Sequence, residues 1–342
     1  MHTLDEILSQ PSIWQSALEE ADRQAPPWRA LLGEDETPLI FTGCGSTYYL
    51  SLSAAALFRR LTGRLTFALP CSEFLLQRPD ALGALLERAP KPILIAVSRS
   101  GSTTETVRAA EQYRAEGGRV LAVTNYPDSP LASLAEAALV LPQGQEESVA
   151  QTRSFSSMFV ALNALAALLA GHDSLYRDML RLPQAAERLI QRYHPLARQL
   201  GEELNFERFY FLGSGVRYGL ASEVSLKMKE MSLSHSEPFH FLEFRHGPMS
   251  MVNQQTLLIG LLSEQAQEQE QKVLDEMQAL GGQVLSLAEQ KAQVEFASEI
   301  PEEGRAALYL PILQLLACYR SLAKGLNPDR PHNLTAVVQL NF

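Results

Sequence analysis

Residues 40–58 read IFTGCGSTYYLSLSAAALF, and residues 210–228 read YFLGSGVRYGLASEVSLKM. The two stretches superpose without a gap at an offset of 170, placing Gly43, Gly45, Tyr48 and Leu50 on Gly213, Gly215, Tyr218 and Leu220. A second pair, 117–122 (GGRVLA) and 281–286 (GGQVLS), recurs in the same order at an offset of 164. Two ordered matches at nearly one offset indicate a duplicated α/β unit. In each copy an apolar strand runs into Gly-x-Gly and then a helix. Glycine there permits a tight turn and lets a ligand approach the helix N–H groups closely.

Outward from the first glycine pair, apolar runs of strand length occupy 38–42, 64–69, 92–97, 119–124 and 137–141, with helical spacing at 47–61, 103–116 and 130–136. Strands alternating with helices predict parallel βαβ units, and continuously apolar strands predict a sheet covered on both faces. A long apolar helix at 154–171 closes the first half. Residues 4–32 read as helix, interrupted at Pro26-Pro27. The organisation expected is an N-terminal helical segment 1–34, an α/β domain 35–172, a helical connector 173–203, a second α/β domain 204–326 and a tail 327–342.

Composition bounds the function. At roughly 150 residues per domain, 342 residues suggest two domains. With 39 acidic and 29 basic residues the formal net charge is −10, and no Lys/Arg cluster exceeds a dipeptide. That balance argues against binding nucleic acid or a membrane surface through basic contacts. No uninterrupted apolar run reaches 18 residues; the closest case, 156–171, reads as a buried helix. The start has no signal-peptide pattern, and the three spaced cysteines, Cys44, Cys71 and Cys318, fit reduced thiols, so a cytoplasmic location is expected.

Two segments concentrate the chemistry. The first, 98–106 (SRSGSTTET), directly follows the strand 92–97. Hydroxyls and a glycine at a strand's carboxyl end make an anion pocket, since ligands of open α/β sheets bind there. The plainer reading is a polar turn that caps the next helix. No lysine follows the glycine, so this is not a nucleoside-triphosphate loop. The Gly-x-Gly copies lack the third glycine and the acidic partner of a dinucleotide site. Ser46 and Thr47, after Gly45, could add donors. The equivalent place in the second copy, 263–267 (SEQAQ), lacks this chemistry, so one phosphate site per chain is expected.

The second segment is 223–248, EVSLKMKEMSLSHSEPFHFLEFRHGP. Glu223, Lys227 and Glu230 share a helix face, as a surface salt-bridge ladder or as site residues. Three histidines, two glutamates and an arginine then crowd 234–248, a rich set for a connector. His235, His240 and His246 match no standard zinc spacing, and no metal is expected. Glu230 lies 15 residues past Gly215, roughly 20 Å along a helix. It is therefore expected to serve a ligand held by the other half or by another subunit.

Taken together, GCGS, SRSGSTTET, 151–157 (QTRSFSS), KMKEMSLSHSEPF, EFRHGP and the closing NPDRPHNL resemble the double SIS (sugar isomerase) family. They are similar to the isomerase half of glucosamine-6-phosphate synthase and to related deaminases and deglycases, over nearly the whole chain from about residue 35. The resemblance implies two tandem SIS domains, each a flavodoxin-like parallel-sheet αβα sandwich. It implies that Ser98, Arg99, Ser100 and Thr103 hold a sugar phosphate, with Gly45, Ser46 and Thr47 nearby, and that Val149 and Thr152 line the sugar. Glu230 matches the base that moves a proton between C1 and C2, and Lys227 a residue beside it. His246 matches a histidine that assists ring opening across a homodimer. Aldose–ketose interconversion needs such a carboxylate and a separate acid/base for the ring oxygen.

Two departures narrow the expectation. Synthases carry an N-terminal glutaminase domain with a cysteine after the initiating methionine; His2 holds that position here, which argues against glutamine-fed synthesis by this chain. A Schiff-base lysine expected after Asn333-Leu334 is replaced by Ala336. The expected activity is conversion of a 6-phosphorylated amino sugar, such as glucosamine 6-phosphate, to a ketose phosphate plus ammonia, without a cofactor. The alternatives are a fructosamine-6-phosphate deglycase, a ketose/aldose-phosphate isomerase, or a non-catalytic phosphosugar sensor.

Overall fold

The strands of the first sheet fall where the apolar runs predict them. A computed structural model of the chain describes residues 1–33, 37–87, 90–337 and 340. The first sheet comprises β1 (Leu39–Gly43), β2 (Thr66–Pro70), β3 (Ile93–Val97), β4 (Arg119–Thr124) and β5 (Ala137–Val140). The second comprises β6 (Arg208–Gly213), β7 (His235–Phe239), β8 (Thr256–Leu261), β9 (Gln283–Ala288) and β10 (Val294–Glu295). All pairings are parallel. The orders are β2-β1-β3-β4-β5 and β10-β9-β8-β6-β7, the same flavodoxin-like order in each copy. The duplication read from the two glycine loops is therefore a duplication of topology.

Every residue of β1 and β3 is buried, because helices cover both faces of the sheet. Ile40, Leu94 and Val120 pack with Ala109, Ala110 and Tyr113 of the helix Thr104–Ala115. On the opposite face the ring of Phe41 meets Phe58 of the helix Ser46–Thr62 edge-on at 5.0 Å. In the second sheet Tyr210, Leu212 and Leu258 pack with Val273, Leu274 and Met277 of the helix Gln267–Ala279.

The chain divides into two compact units that do not follow simple chain halves. The first-sheet unit is Ser12–Gln145, Arg153–Leu180 and Thr335–Phe342; the second-sheet unit is Met1–Pro11, Glu146–Thr152 and Arg181–Leu334. The expected boundary between residues 34 and 35, and the last residues of the tail 327–342, lie outside the described residues.

The N-terminal helix differs from the expectation. The break falls at Ser9, between the helices His2–Leu8 and Gln10–Leu32, and Pro26-Pro27 lie inside the second helix. Proline removes a donor and clashes with the preceding turn. Here packing on both sides overrides that cost. Gln24 exchanges hydrogen bonds with the backbone of Val140, Trp28 is fully buried, and Arg29 donates to the Leu168 carbonyl. The apolar stretch at 156–171 lies in the buried helix Arg153–Leu169, as expected; among the described residues Glu302–Ala323 is long and apolar enough to cross a membrane, and 89% of its most apolar window is buried inside the fold.

Candidate functional site

In the first sheet the strand order reverses between β1 and β3, so their carboxyl ends flank a crevice of the kind that binds ligands. Two loops meet this position, Gly43–Thr47 after β1 and Ser98–Thr103 after β3. Gly43 must be glycine because a Cβ would stand 2.6 Å from the Thr47 carbonyl carbon, and Gly45 has φ +56°. The Thr47 hydroxyl accepts the Cys44 N–H at 2.9 Å and lies 3.0 Å from the Cys44 carbonyl, bracing the turn. Ser46 and Thr47 are both buried.

The loop after β3 is equally determined. Gly101 has φ +62°, and a Cβ there would come 2.1 Å from the Ser129 hydroxyl. Ser98 Oγ accepts the Gly101 N–H at 3.2 Å and sits 3.2 Å from the Thr103 hydroxyl. Ser102 donates through N–H and hydroxyl to Ser100 Oγ, at 3.2 and 3.0 Å. Thr103 is the N-cap of the helix Thr104–Ala115, yet its side chain makes no capping bond. The hydroxyls thus face one another across the loop instead of simply capping the helix. The C-terminal segment also reaches this loop: Arg99 Nη2 donates to the Ala336 carbonyl at 2.9 Å, and the Leu340 N–H donates to Thr104 at 3.2 Å.

The second-sheet unit holds the charged cluster. Glu223, Lys227 and Glu230 lie on the helix Val216–Ser232. Glu223 and Lys227 have 0% side-chain exposure and Glu230 has 19%, so the row is not a surface ladder. Lys227 Nζ is 3.4 Å from Glu223 and in direct contact with Glu230. Burial works against the Lys227 ammonium, but the carboxylates of Glu223, Glu230 and Glu146 outweigh it and hold its pKa above the ordinary value.

Glu146 belongs to a segment that the rest of this unit holds in place. Its carboxylate accepts the Thr152 N–H and hydroxyl at 2.7 and 2.8 Å, and Thr152 is fully buried. Glu6 Oε1 accepts the N–H groups of Glu147 and Ser148 at 2.6 and 3.2 Å, and Ser148 also donates its hydroxyl to Glu6. The Val149 N–H donates to the Asp329 carbonyl at 3.0 Å, while the Asp329 carboxylate takes the His2 and Thr3 N–H groups and the Thr3 hydroxyl. Val149, Thr152, Lys227 and Glu230 therefore share one unit, while Gly45, Ser46, Thr47, Ser98, Arg99, Ser100 and Thr103 share the other.

The second copy of the anion crevice is filled by the chain itself. Glu270 accepts the Ser263 N–H at 2.5 Å, and Glu302 accepts the Glu264 N–H and Arg217, each at 2.8 Å. Arg305 pairs with Glu264 and Glu289. Carboxylates of the protein itself thus take the backbone donors of the loop that follows β8.

His246 ends the short turn Glu243–Arg245 and is exposed. His235 opens β7, and His240 stacks on Tyr218 with ring centres 3.9 Å apart. No group of three or more His, Cys, Asp or Glu placed to hold a metal ion occurs among the described residues. Glu6, Glu146 and Asp329 were not legible as site residues. Only the acidic pair Glu146-Glu147 and the Asp of the closing motif hinted at them, because their partners lie in other parts of the chain.

The comparisons with known proteins agree with this architecture. The SIS domain family model matches residues 34–168 and 205–311. The glutamine–fructose-6-phosphate aminotransferase [isomerizing] of Pyrococcus horikoshii is 28% identical over 98% of this chain and 57% of its own length. The chain thus spans about half the length of that relative. The crystal structure of glucosamine-6-phosphate deaminase from Thermotoga maritima superposes with a TM-score of 0.83 at 28% identity, covering 99% of both chains. That of tagatose-6-phosphate ketose/aldose isomerase from Escherichia coli gives a TM-score of 0.85 at 23% identity, over 96% of this chain and 95% of that one, a likeness of fold.

Proposed function

The chain belongs to the SIS domain family, and we propose that it is a phosphosugar isomerase that deaminates a 6-phosphorylated amino sugar to a ketose phosphate and ammonia. The observation that carries this reading is the Lys227–Glu230 pair. A carboxylate that must take a proton from C2 and return it to C1 has to be ionised, oriented and open on one side. Lys227, buried and kept charged by its neighbours, supplies the first two conditions, and the residual exposure of Glu230 supplies the third. The full-length match to the Thermotoga maritima deaminase supports the amino-sugar assignment.

In this reading Ser98, Ser100 and Thr103, with Ser46 at the neighbouring helix start, hold the phosphate by hydroxyl and N–H donors. Arg99, tied to the Ala336 carbonyl, fixes the loop. His246, exposed on its own unit, acts on the ring oxygen from a neighbouring subunit of a homodimer in the cytoplasm. Ala336 cannot form an imine, so Glu230 carries the open-chain amino sugar through an enolamine to the C2 imine, and one water hydrolyses that imine to the ketose with release of ammonia.

The test is incubation with a panel of 6-phosphorylated amino sugars and ketoses in D2O, with NMR following exchange at C1 and C2 and a parallel ammonia assay. Exchange with ammonia release is the expected result. Exchange without ammonia would replace the deaminase by a ketose/aldose isomerase. Binding without exchange would leave a deglycase or a sensor.

A further inference from the structure

Gly43 and Pro70 are the last paired residues of the adjacent parallel strands β1 and β2. Cys44 directly follows β1, and Cys71 directly follows β2 as the first residue of the helix Cys71–Leu76. Neighbouring strands run about 4.8 Å apart, and a disulfide joins residues whose Cα atoms lie about 4.4–6.8 Å apart. The side chains point to the same place. Both sulfurs contact the Thr106 hydroxyl, Cys44 at 3.7 Å and Cys71 at 3.5 Å, and Thr42 donates to Cys71 at 3.3 Å. Pairing with Cys71, together with burial, pushes the Cys44 thiol up, while pairing with Cys44 and the contacts with Thr106 and Thr42 pull Cys71 down against its burial. Cys71 is buried, whereas Cys44 keeps partial exposure, so a small oxidant has one sulfur to reach.

We propose that Cys44 and Cys71 form a reversible disulfide on reaction with a hydroperoxide, and that the crosslink remodels the Gly43–Thr47 turn. The Cys44 sulfur attacks one peroxide oxygen as its thiol proton passes to the departing oxygen, the O–O bond breaks, and the products are a sulfenic acid on Cys44 and one water, or an alcohol from an organic peroxide. The Cys71 sulfur then attacks the sulfenic sulfur, the S–O bond breaks, and a second water leaves with the Cys71 proton. Two thiols give up two electrons, which the peroxide takes. The turn must respond because the Cys44 backbone is stitched to the Thr47 hydroxyl by contacts of 2.9 and 3.0 Å. Its consequence for sugar-phosphate binding rests on the functional reading above. Cys318, buried and apart from the pair, serves as an internal control.

The experiment treats the reduced chain with stoichiometric hydrogen peroxide and follows it by intact mass, peptide mapping and amide hydrogen exchange. The expected result is a loss of about 2 Da, one peptide joining Cys44 to Cys71, exchange at residues 44–48 faster by about tenfold or more, and reversal by dithiothreitol. Cys71→Ser should instead gain oxygen on Cys44. A wild-type chain that gains oxygen like the variant, or a disulfide that leaves exchange at 44–48 unchanged, would overturn the proposal. These readouts need no ligand. Affinity for fructose 6-phosphate, compared between reduced and oxidised samples, separately tests the consequence for binding. Failure of the reduced form to bind would count against the functional reading and leave the crosslink result intact.

Discussion

The ammonium of Lys227, wholly shielded from solvent, rests against the carboxylate of Glu230 three residues further along the same helix, with Glu223 one turn before it. On the proposed function, Glu230→Gln keeps the shape and removes the base. Turnover should vanish while affinity for the sugar phosphate stays within a few fold, as read by calorimetry beside the NMR exchange assay.

Lys227→Met leaves Glu223 charged and buried without its cation. The expected loss is about 3–5 kcal/mol in urea denaturation at neutral pH. Because the carboxylates raise Lys227 above its ordinary 10.5, its stabilisation is whole below that pH and is lost as pH rises through the higher folded value. The gap between wild type and Lys227→Met should therefore stay constant at lower pH and narrow only above 10.5; narrowing between pH 7 and 9 would contradict the pairing.

On the proposed function, Ser100→Ala and Thr103→Ala remove phosphate contacts made equally in ground and transition states. Each should raise KM by about tenfold with little change in kcat. An unchanged KM would take the phosphate away from this loop.

Glu6 holds a segment more than 140 residues distant in sequence by two N–H groups and a hydroxyl. Glu6→Gln loses the charge-assisted part of those bonds, with an expected cost of about 1–3 kcal/mol. Amide exchange at Glu147 and Ser148 should rise; unaltered protection there would show that the helix His2–Leu8 does not secure the segment.

With Glu270 and Glu302 occupying the second crevice, calorimetric titration with a sugar phosphate should give one ligand per chain. A stoichiometry of two would mean that the internal carboxylates yield to a ligand.

Ala336 stands beside the loop Ser98–Thr103 through its carbonyl contact with Arg99. Ala336→Lys should place an amine there, and borohydride in the presence of fructose 6-phosphate should then give a covalent adduct by mass. An adduct of equal yield in wild type would locate imine chemistry at another residue.

The sequence alone determined the five strands of the first half, the glycine turns, the duplication, and the loop Ser98–Thr103. These depend on local properties: apolar runs of strand length, positive-φ glycines at 45 and 101, and hydroxyls placed one turn before a helix. It also marked Glu223, Lys227 and Glu230 as one face, though spacing is the same for a solvent-exposed ladder and a buried cluster. Only the fold shows 0% exposure at Lys227 and so separates the two. Tertiary structure likewise decided that Pro26-Pro27 stay helical, that Glu6 and Asp329 secure residues 146–152, and that Cys44 meets Cys71 across two strands. Each is a contact between residues distant along the chain, and local periodicity carries no record of which distant group will supply the partner.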